Sequence, residues 1–247
     1  MDTLGPAGRD RNPVSGVGVL DRSMALLGLL AEAPRSLRSL AEASGLPRPT
    51  AHRLLVALES HRLVGRDADG AFRLGPRLTE LALRAGSGLE LGTLAAGVLA
   101  RLHDQSGESV QLYLRSGDRR LCVAARDAGA GLRDSVPVGA LLPLDAGSGG
   151  KVLLAWSDDA ARFPAVPATE LAIVRRRGWA SSIAEREPGV ASVSAPVLRD
   201  GVLLGALCVS GPASRLGSSP GRRLAPLLVA AARELAALAE AGGPPAG

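Results

Sequence analysis

The 247-residue sequence predicts an α+β protein in two parts: a small N-terminal unit of helices closed by a β-hairpin, and a larger unit whose helices cover one antiparallel sheet. Three observations carry this. Apolar residues between Val19 and Leu58 recur at helical spacing. Two short β-prone runs follow at once, at 62–66 and 71–74, around the turn signal Ala68-Asp69-Gly70. From Glu108 onward, period-two runs broken by Ser116-Gly117-Asp118 and Asp200-Gly201 alternate with helical stretches.

Residues 1–14 are rich in glycine, proline and polar groups, so they are expected to form a disordered tail, as are residues 242–247. From Val19 to Ala33, VLDRSMALLGLLAEA predicts an amphipathic helix with Leu20, Met24, Leu27 and Leu30 on its inward side. The stretch SLRSLAEASGLPRPTAHRLLVAL, from Ser36 to Leu58, has the spacing of two short helices crossing at a tight turn. Ser36 is placed as the N-cap, Leu37, Leu40 and Ala41 share one face, and Gly45 supplies the left-handed residue that ends the first helix. Pro47 and Pro49 open the second helix, where a missing N–H costs little, and Ala51, Leu54, Leu55 and Leu58 point to a core. Its other face begins with Arg48, Thr50 and Arg53, which suits a helix that presents guanidinium and hydroxyl groups to base edges in a major groove.

An ordinary helical hairpin with a solvated arginine face would show the same spacing. The hairpin that follows tips the reading to a winged helix-turn-helix, with Arg66 and Arg73 on the wing within reach of the DNA backbone. Residues 15–76 are therefore read as a DNA-binding domain, with Ser36, Arg48, Pro49, Thr50, His52, Arg53, Arg66 and Arg73 as its contact set. Residues 77–91 are read as a linker, in which PRLTELALRAG continues a helix begun at Pro76, about 18 Å long, and GSGLELG acts as a hinge.

Residues 92–241 make the second domain. It opens on the helix LGTLAAGVLARLHDQSG and continues into the antiparallel hairpin of ESVQLYLRSG and RLCVAARD. Further strands are expected at Arg133 to Val138, Ala191 to Leu198 and Val202 to Ser210, and helices at Gly149 to Trp156, Ala168 to Arg177 and Pro220 to about Ala239. One sheet with helices on its faces is a sensor-domain architecture of the GAF-like kind.

A hydrophobic fraction of 46% permits a real core and excludes disorder throughout. No apolar run is long enough to span a bilayer and the N-terminus lacks a signal-peptide core, so a cytoplasmic protein without membrane association is expected. Cys122 and Cys208, in apolar runs, read as buried free thiols. The net charge of +5 is not concentrated in the first domain: residues 15–91 hold ten arginines against eight acids, and residues 92–247 seventeen basic residues against fourteen acids. DNA binding therefore has to rest on where particular arginines point.

Catalysis finds little support. DAGSGGKVLLAW looks like a phosphate loop, but Asp145 and Val152 stand where that motif needs a glycine and a hydroxyl. No hydrolase elbow or metal cluster is present, and His103 lacks a sequence partner. What GSGGK offers is a glycine-rich turn feeding a helix N-terminus, either to receive a small carboxylate or merely to allow close packing. Trp156 and Trp179 are placed in the core rather than against a ligand.

At this point the chain resembles a known family. GLPRPTAHRLLVALESHRLV followed by GAFRLGPRLTELA is similar to the DNA-binding half of IclR-type bacterial transcription regulators. VPVGALLPL, GSGGKVLLAW, RRRGWA, EREPGVASVSAPV and LCVSGPASRL resemble, in order, the blocks of that family's ligand-binding domain. The wording GVGVLDRS, RPTAHRLLVALE and GWASSIAEREPGVASVSAPV is most similar to the actinobacterial NdgR-like branch, associated with amino-acid metabolism, leucine biosynthesis included.

The resemblance implies a regulator rather than an enzyme, without a cofactor, that binds a double-stranded operator as a homodimer or dimer of dimers, its first helix holding DNA-binding domains together. It implies a small-molecule effector, with leucine or another branched-chain amino or 2-keto acid the natural candidate. One wall of the effector pocket would be Ser148, Gly149 and Gly150, and the others Ser182, Ser192, Cys208 and Ser210, with Val193, Leu207 and Val209 as an apolar lining. The chain departs from the family where members often carry acidic residues after RRGW; here stand Ser181, Ser182 and Ile183. The alternative is a GAF-like ligand-binding or catalytic domain joined to a helical protein-interaction module, and salt-dependent duplex binding separates the two.

Overall fold

The computed structural model describes residues 15–84, 88–129 and 134–241, in two compact units divided between Gly86 and Ser87. The tails expected at 1–14 and 242–247 lie outside the described residues.

The first unit contains α1 (Gly18–Glu32), α2 (Leu37–Ser44), α3 (Arg48–Ser60), β1 (Val64–Arg66), β2 (Phe72–Leu74) and α4 (Pro76–Arg84). Ser36 caps α2, its hydroxyl accepting the Ser39 N–H at 3.2 Å, a contact worth about 1 kcal/mol. Gly45 ends that helix in the left-handed region at φ 69°, as its sequence position requires. The core joins Leu26 and Leu30 of α1 to Leu40, Leu55, Leu58, Val64 and Phe72.

This corrects the rotation assigned to α1. Leu20 and Met24, placed inward by their spacing, are 51% and 50% exposed. Leucines at 20, 26, 27, 29 and 30 cover more than one stripe of the helix, so periodicity left the buried side open and packing against α2 and α3 decides it. The wing pairs Val64 with Leu74 and Arg66 with Phe72, while Arg35 and Phe72 exchange N–H···O bonds of 2.9 and 2.8 Å. The segment leading into α2 thus pins the wing to the helices.

The second unit runs α5 (Gly88–Ser106), β3 (Ser109–Ser116), β4 (Arg119–Arg126), β5 (Leu141–Pro143), α6 (Ser148–Ala155), α7 (Ala168–Arg177), β6 (Ala180–Ile183), β7 (Val190–Arg199), β8 (Val202–Pro212), the short α8 (Ala213–Leu216) and α9 (Pro220–Ala241). Its strands form one antiparallel sheet in the order β5-β4-β3-β8-β7-β6. One face packs Ala191, Val193, Ala195, Leu207 and Val209 against α5 and α9. The other packs Tyr113, Cys122, Ala206 and Cys208 with α6 and α7. Successive side chains of a strand point to opposite faces, so β7 and β8 serve two separate cores.

Three sequence expectations change here. The hinge reading of GSGLELG gives way, because α5 begins at Gly88; residues 85–87 lie outside the described residues. The strand expected over 133–138 is not formed by residues 134–138, and Arg133 lies outside the described residues. Pro137 has no N–H for a ladder, and instead its carbonyl closes a turn with the Ala140 N–H at 3.1 Å. The short edge strands β5 and β6 were missed, since three or four residues carry too little alternation to stand out. Trp156 and Trp179 pack against the two cores, as expected.

Candidate functional site

In the first unit, α3 brings Arg48, Pro49, His52 and Arg53 to the surface at its N-terminal end, with Thr50 partly exposed beside them. Its opposite face, Ala51, Leu55 and Leu58, is buried, so the core fixes which side chains are offered outward. Ser36 is exposed, but its oxygen is engaged in the α2 cap, leaving its hydroxyl hydrogen to donate. On the wing, Arg73 is exposed, while Arg66 lies over the Phe72 ring at 4.1 Å and pairs with Glu59 at 3.2 Å.

The second candidate site lies on the α6 face of the sheet, and strand register builds it. Ser182 on β6 faces Ser192 on β7, which faces Ser210 on β8; one row further, Ser194 faces Cys208. Ser148, at the start of α6, ties these strands together. Its N–H donates to the Ser182 hydroxyl at 3.2 Å, and its own hydroxyl lies 2.7 Å from that of Ser192 and 2.8 Å from that of Ser194. Between them is a cavity of about 20 Å³, room for roughly one water, lined by Ser182, Ser192, Cys208, Ser210 and Gly149 together with Tyr113, Arg120, Asp134 and Arg186.

Five of the seven effector residues read from sequence therefore line one cavity, and Ser148 braces it. Gly150 does not line it: a Cβ there would lie 2.0 Å from the Leu144 carbonyl oxygen. The glycines serve close packing. Gly149 lies against the Tyr113 ring, and an added Cβ at Gly147 or Gly150 would meet the Arg120 guanidinium at 3.3 or 2.8 Å. The apolar lining is also corrected: Val193, Leu207 and Val209 sit in the α5/α9 core, on the far face of the sheet. A site on the near face sees residues of the other parity, and those are serines and a cysteine, with Val190 at the start of β7.

Sequence reasoning missed Arg120, Tyr113, Asp134 and Arg186. A signal for one of them existed, because Arg120 has the strand parity of buried Cys122, an unusual place for a cation. Arg120 is 3% exposed; its Nη1 donates to the carbonyls of Pro143 at 2.5 Å and Ala146 at 2.6 Å, and its guanidinium carbon lies 5.2 Å from the Tyr113 ring centre. Burial pulls its pKa down, from a value high enough that it stays cationic. Burial also raises the Tyr113 phenol well above its ordinary range and pushes the Cys208 thiol up, so both are neutral donors. Arg186 pairs with buried Asp134 at 2.5 Å; burial works against its charge, and the hydrogen bond and charge of Asp134 outweigh it.

Sequence comparison finds the same two-domain division. Residues 19–68 match the model of the IclR helix-turn-helix domain, and residues 83–166 and 164–237 match that of the bacterial transcriptional regulator IclR C-terminal domain. The chain belongs to the IclR family. It is 33% identical over 241 residues to the glycerol operon regulatory protein of Streptomyces griseus, spanning 88% of this chain and 93% of that one. It is 32% identical over 185 residues to the regulator TtgV of Pseudomonas putida, spanning 72% of this chain and 71% of that one. Among solved structures, an IclR homologue from Microbacterium hydrocarbonoxydans, complexed with 4-hydroxybenzoate, shares the fold at a TM-score of 0.78 and 23% identity, over 91% of this chain and all of that one.

As an IclR-family member the chain is a DNA-binding transcriptional regulator with a C-terminal effector domain. Among the described residues, no helix is long and apolar enough to cross a membrane and no acidic, histidine or cysteine group is arranged to hold a metal ion.

Proposed function

We propose that this IclR-type regulator reads its operator as a homodimer through the exposed start of α3 and the wing, and that a small polar metabolite in the α6 cavity sets its affinity for DNA. The observation that carries the second half is the cavity itself: hydroxyl, thiol and guanidinium groups gathered around a space that as it stands holds about one water, so that a metabolite enters by parting the lining. Half-exposed Val17, Val19, Leu20 and Met24 along α1 support pairing of two DNA-binding domains, since apolar side chains of that size in one stripe suit contact with a second copy.

For pathway, the NdgR-like wording supports genes of amino-acid metabolism, with leucine or another branched-chain amino or 2-keto acid as effector. The cavity favours the more polar members of that class, because Val190 is the one aliphatic side chain in a lining otherwise made of hydroxyl, thiol, charged, tyrosine and glycine groups. The 4-hydroxybenzoate bound by the Microbacterium homologue supports a carboxylate of modest size. The test is to sequence genomic DNA retained by the protein, then follow operator affinity by anisotropy while titrating leucine, 4-methyl-2-oxopentanoate and 4-hydroxybenzoate. A shift of about five- to 150-fold with one of them is expected. Retention of random DNA only, or operator binding indifferent to every metabolite of the host, would sink the reading.

A further inference from the structure

We infer that the effector is a monocarboxylate and that Arg120 is its charge anchor; this deepens the proposed function and rests on its placement of the effector in the α6 cavity. Arg120 is a buried cation that pairs with no carboxylate: its Nη1 is held by two neutral carbonyls, and its Nε, fully buried, has no acceptor. Every nearby carboxylate is taken. Asp134, in the same lining, is held by Arg186, and Glu187 lies 3.3 Å from the same guanidinium. Glu185 is held by Lys151 at 2.5 Å.

The second unsatisfied buried side-chain atom among the described residues is Gln111 Nε2. Gln111 lies directly behind that lining, for its Oε1 accepts a 3.1 Å hydrogen bond from Ser210, whose side chain lines the cavity. Both vacant groups are therefore donors, one in the lining itself and one a single hydrogen bond behind it. Buried donors without acceptors are costly, and a buried charge without a partner more so, so the missing component is an acceptor with negative charge. Arg186 is held by both lining carboxylates, Asp134 and Glu187, which leaves Arg120 as the one lining cation that touches none, and one such cation suits one carboxylate rather than a dianion. The planar guanidinium suits a carboxylate, and the hydroxyls of Ser182, Ser192 and Ser210 remain for a hydroxyl or keto group next to it.

The test uses the full chain and calorimetry with acetate, 4-methyl-2-oxopentanoate and 4-hydroxybenzoate, each beside its uncharged amide, with inorganic phosphate as a further arm. At least one carboxylate should bind, its amide about a hundredfold more weakly, and Arg120→Gln should lose binding by a similar factor, with partial recovery in Arg120→Lys. Because Arg120→Gln can also weaken the fold, the carboxylate-to-amide ratio on the unaltered protein stands as an independent measure. Equal binding of acid and amide, phosphate binding as tight as any carboxylate, or no heat from the carboxylates at millimolar concentration overturns the anchor. A neutral metabolite that shifts operator affinity would remove the anion and leave the effector site standing. Carboxylate binding that never alters operator affinity would do the reverse.

Discussion

Glu185 and Lys151 meet at 2.5 Å, and the second oxygen of the same carboxylate accepts the Gly147 N–H at 3.2 Å. The helix N-terminus that the glycine-rich turn offered to an anion thus already holds one, supplied by the chain itself. Lys151 is nearly buried and also reaches Glu170 at 2.7 Å. Glu185→Gln should therefore destabilise the second unit by about 1–3 kcal/mol, less than loss of a sole partner would, and lower its melting temperature by a few degrees. A variant melting like the parent in calorimetry would show that the pair contributes nothing.

Gly150→Ala asks what the glycines are for. Its Cβ would be driven into the Leu144 carbonyl at 2.0 Å, so α6 has to shift, at a cost of about 1–3 kcal/mol or more. The loss should appear in thermal unfolding without any ligand. A stable Gly150→Ala protein that had lost only metabolite binding would instead return the turn to the ligand.

On DNA, Arg48→Ala should relax sequence preference by about 1–3 kcal/mol, whereas Arg73→Ala should weaken operator and random duplexes alike and lower the salt slope by about 1. Glu59→Gln should act oppositely to Arg73→Ala. It releases Arg66 from its ion pair, making a wing cation available to phosphate and tightening both complexes. Fluorescence anisotropy at several salt concentrations separates the three patterns, and identical losses from Arg48→Ala on both duplexes would refute its assignment to base edges.

The first unit was legible because its signals are local. Ser36, Gly45 and Pro47 mark helix ends by their own backbone chemistry, and the structure keeps all three. The rotation of α1 was not legible, since it is settled by residues far along the chain such as Phe72. In the second unit, the parity of Cys208 and Ser210 was readable from alternation alone, and their cavity wall follows from it. Arg120 lies on β4 while Asp134 and Arg186 lie in connecting segments, and the three meet only in the folded domain, which no local pattern encodes. The assignment of Val193, Leu207 and Val209 to the pocket failed because proximity in sequence was put ahead of parity.

The thiols give a prediction in pH. Burial pushes Cys122 up to about 12 and raises Cys208 as well, whereas an unfolded thiol ionises near 8.5. The folded chain keeps a proton that the unfolded chain releases, so stability should fall as pH rises from about 8.5 toward 12, by at most about 1.4 kcal/mol per pH unit for each thiol. Urea melts of Cys122→Ala should show a shallower alkaline decline than the parent. An unchanged slope would mean that the thiol ionises freely in the fold.

Because β7 and β8 place odd and even positions in different cores, the domain separates two kinds of sequence change. Replacements at 192, 208 and 210 change the lining of the cavity and leave the packing of α5 and α9 on the other face untouched. The lining can therefore change by single substitutions while the scaffold stays intact. A one-residue insertion in either strand does the opposite, exchanging the two sets of side chains at once and dismantling both cores together.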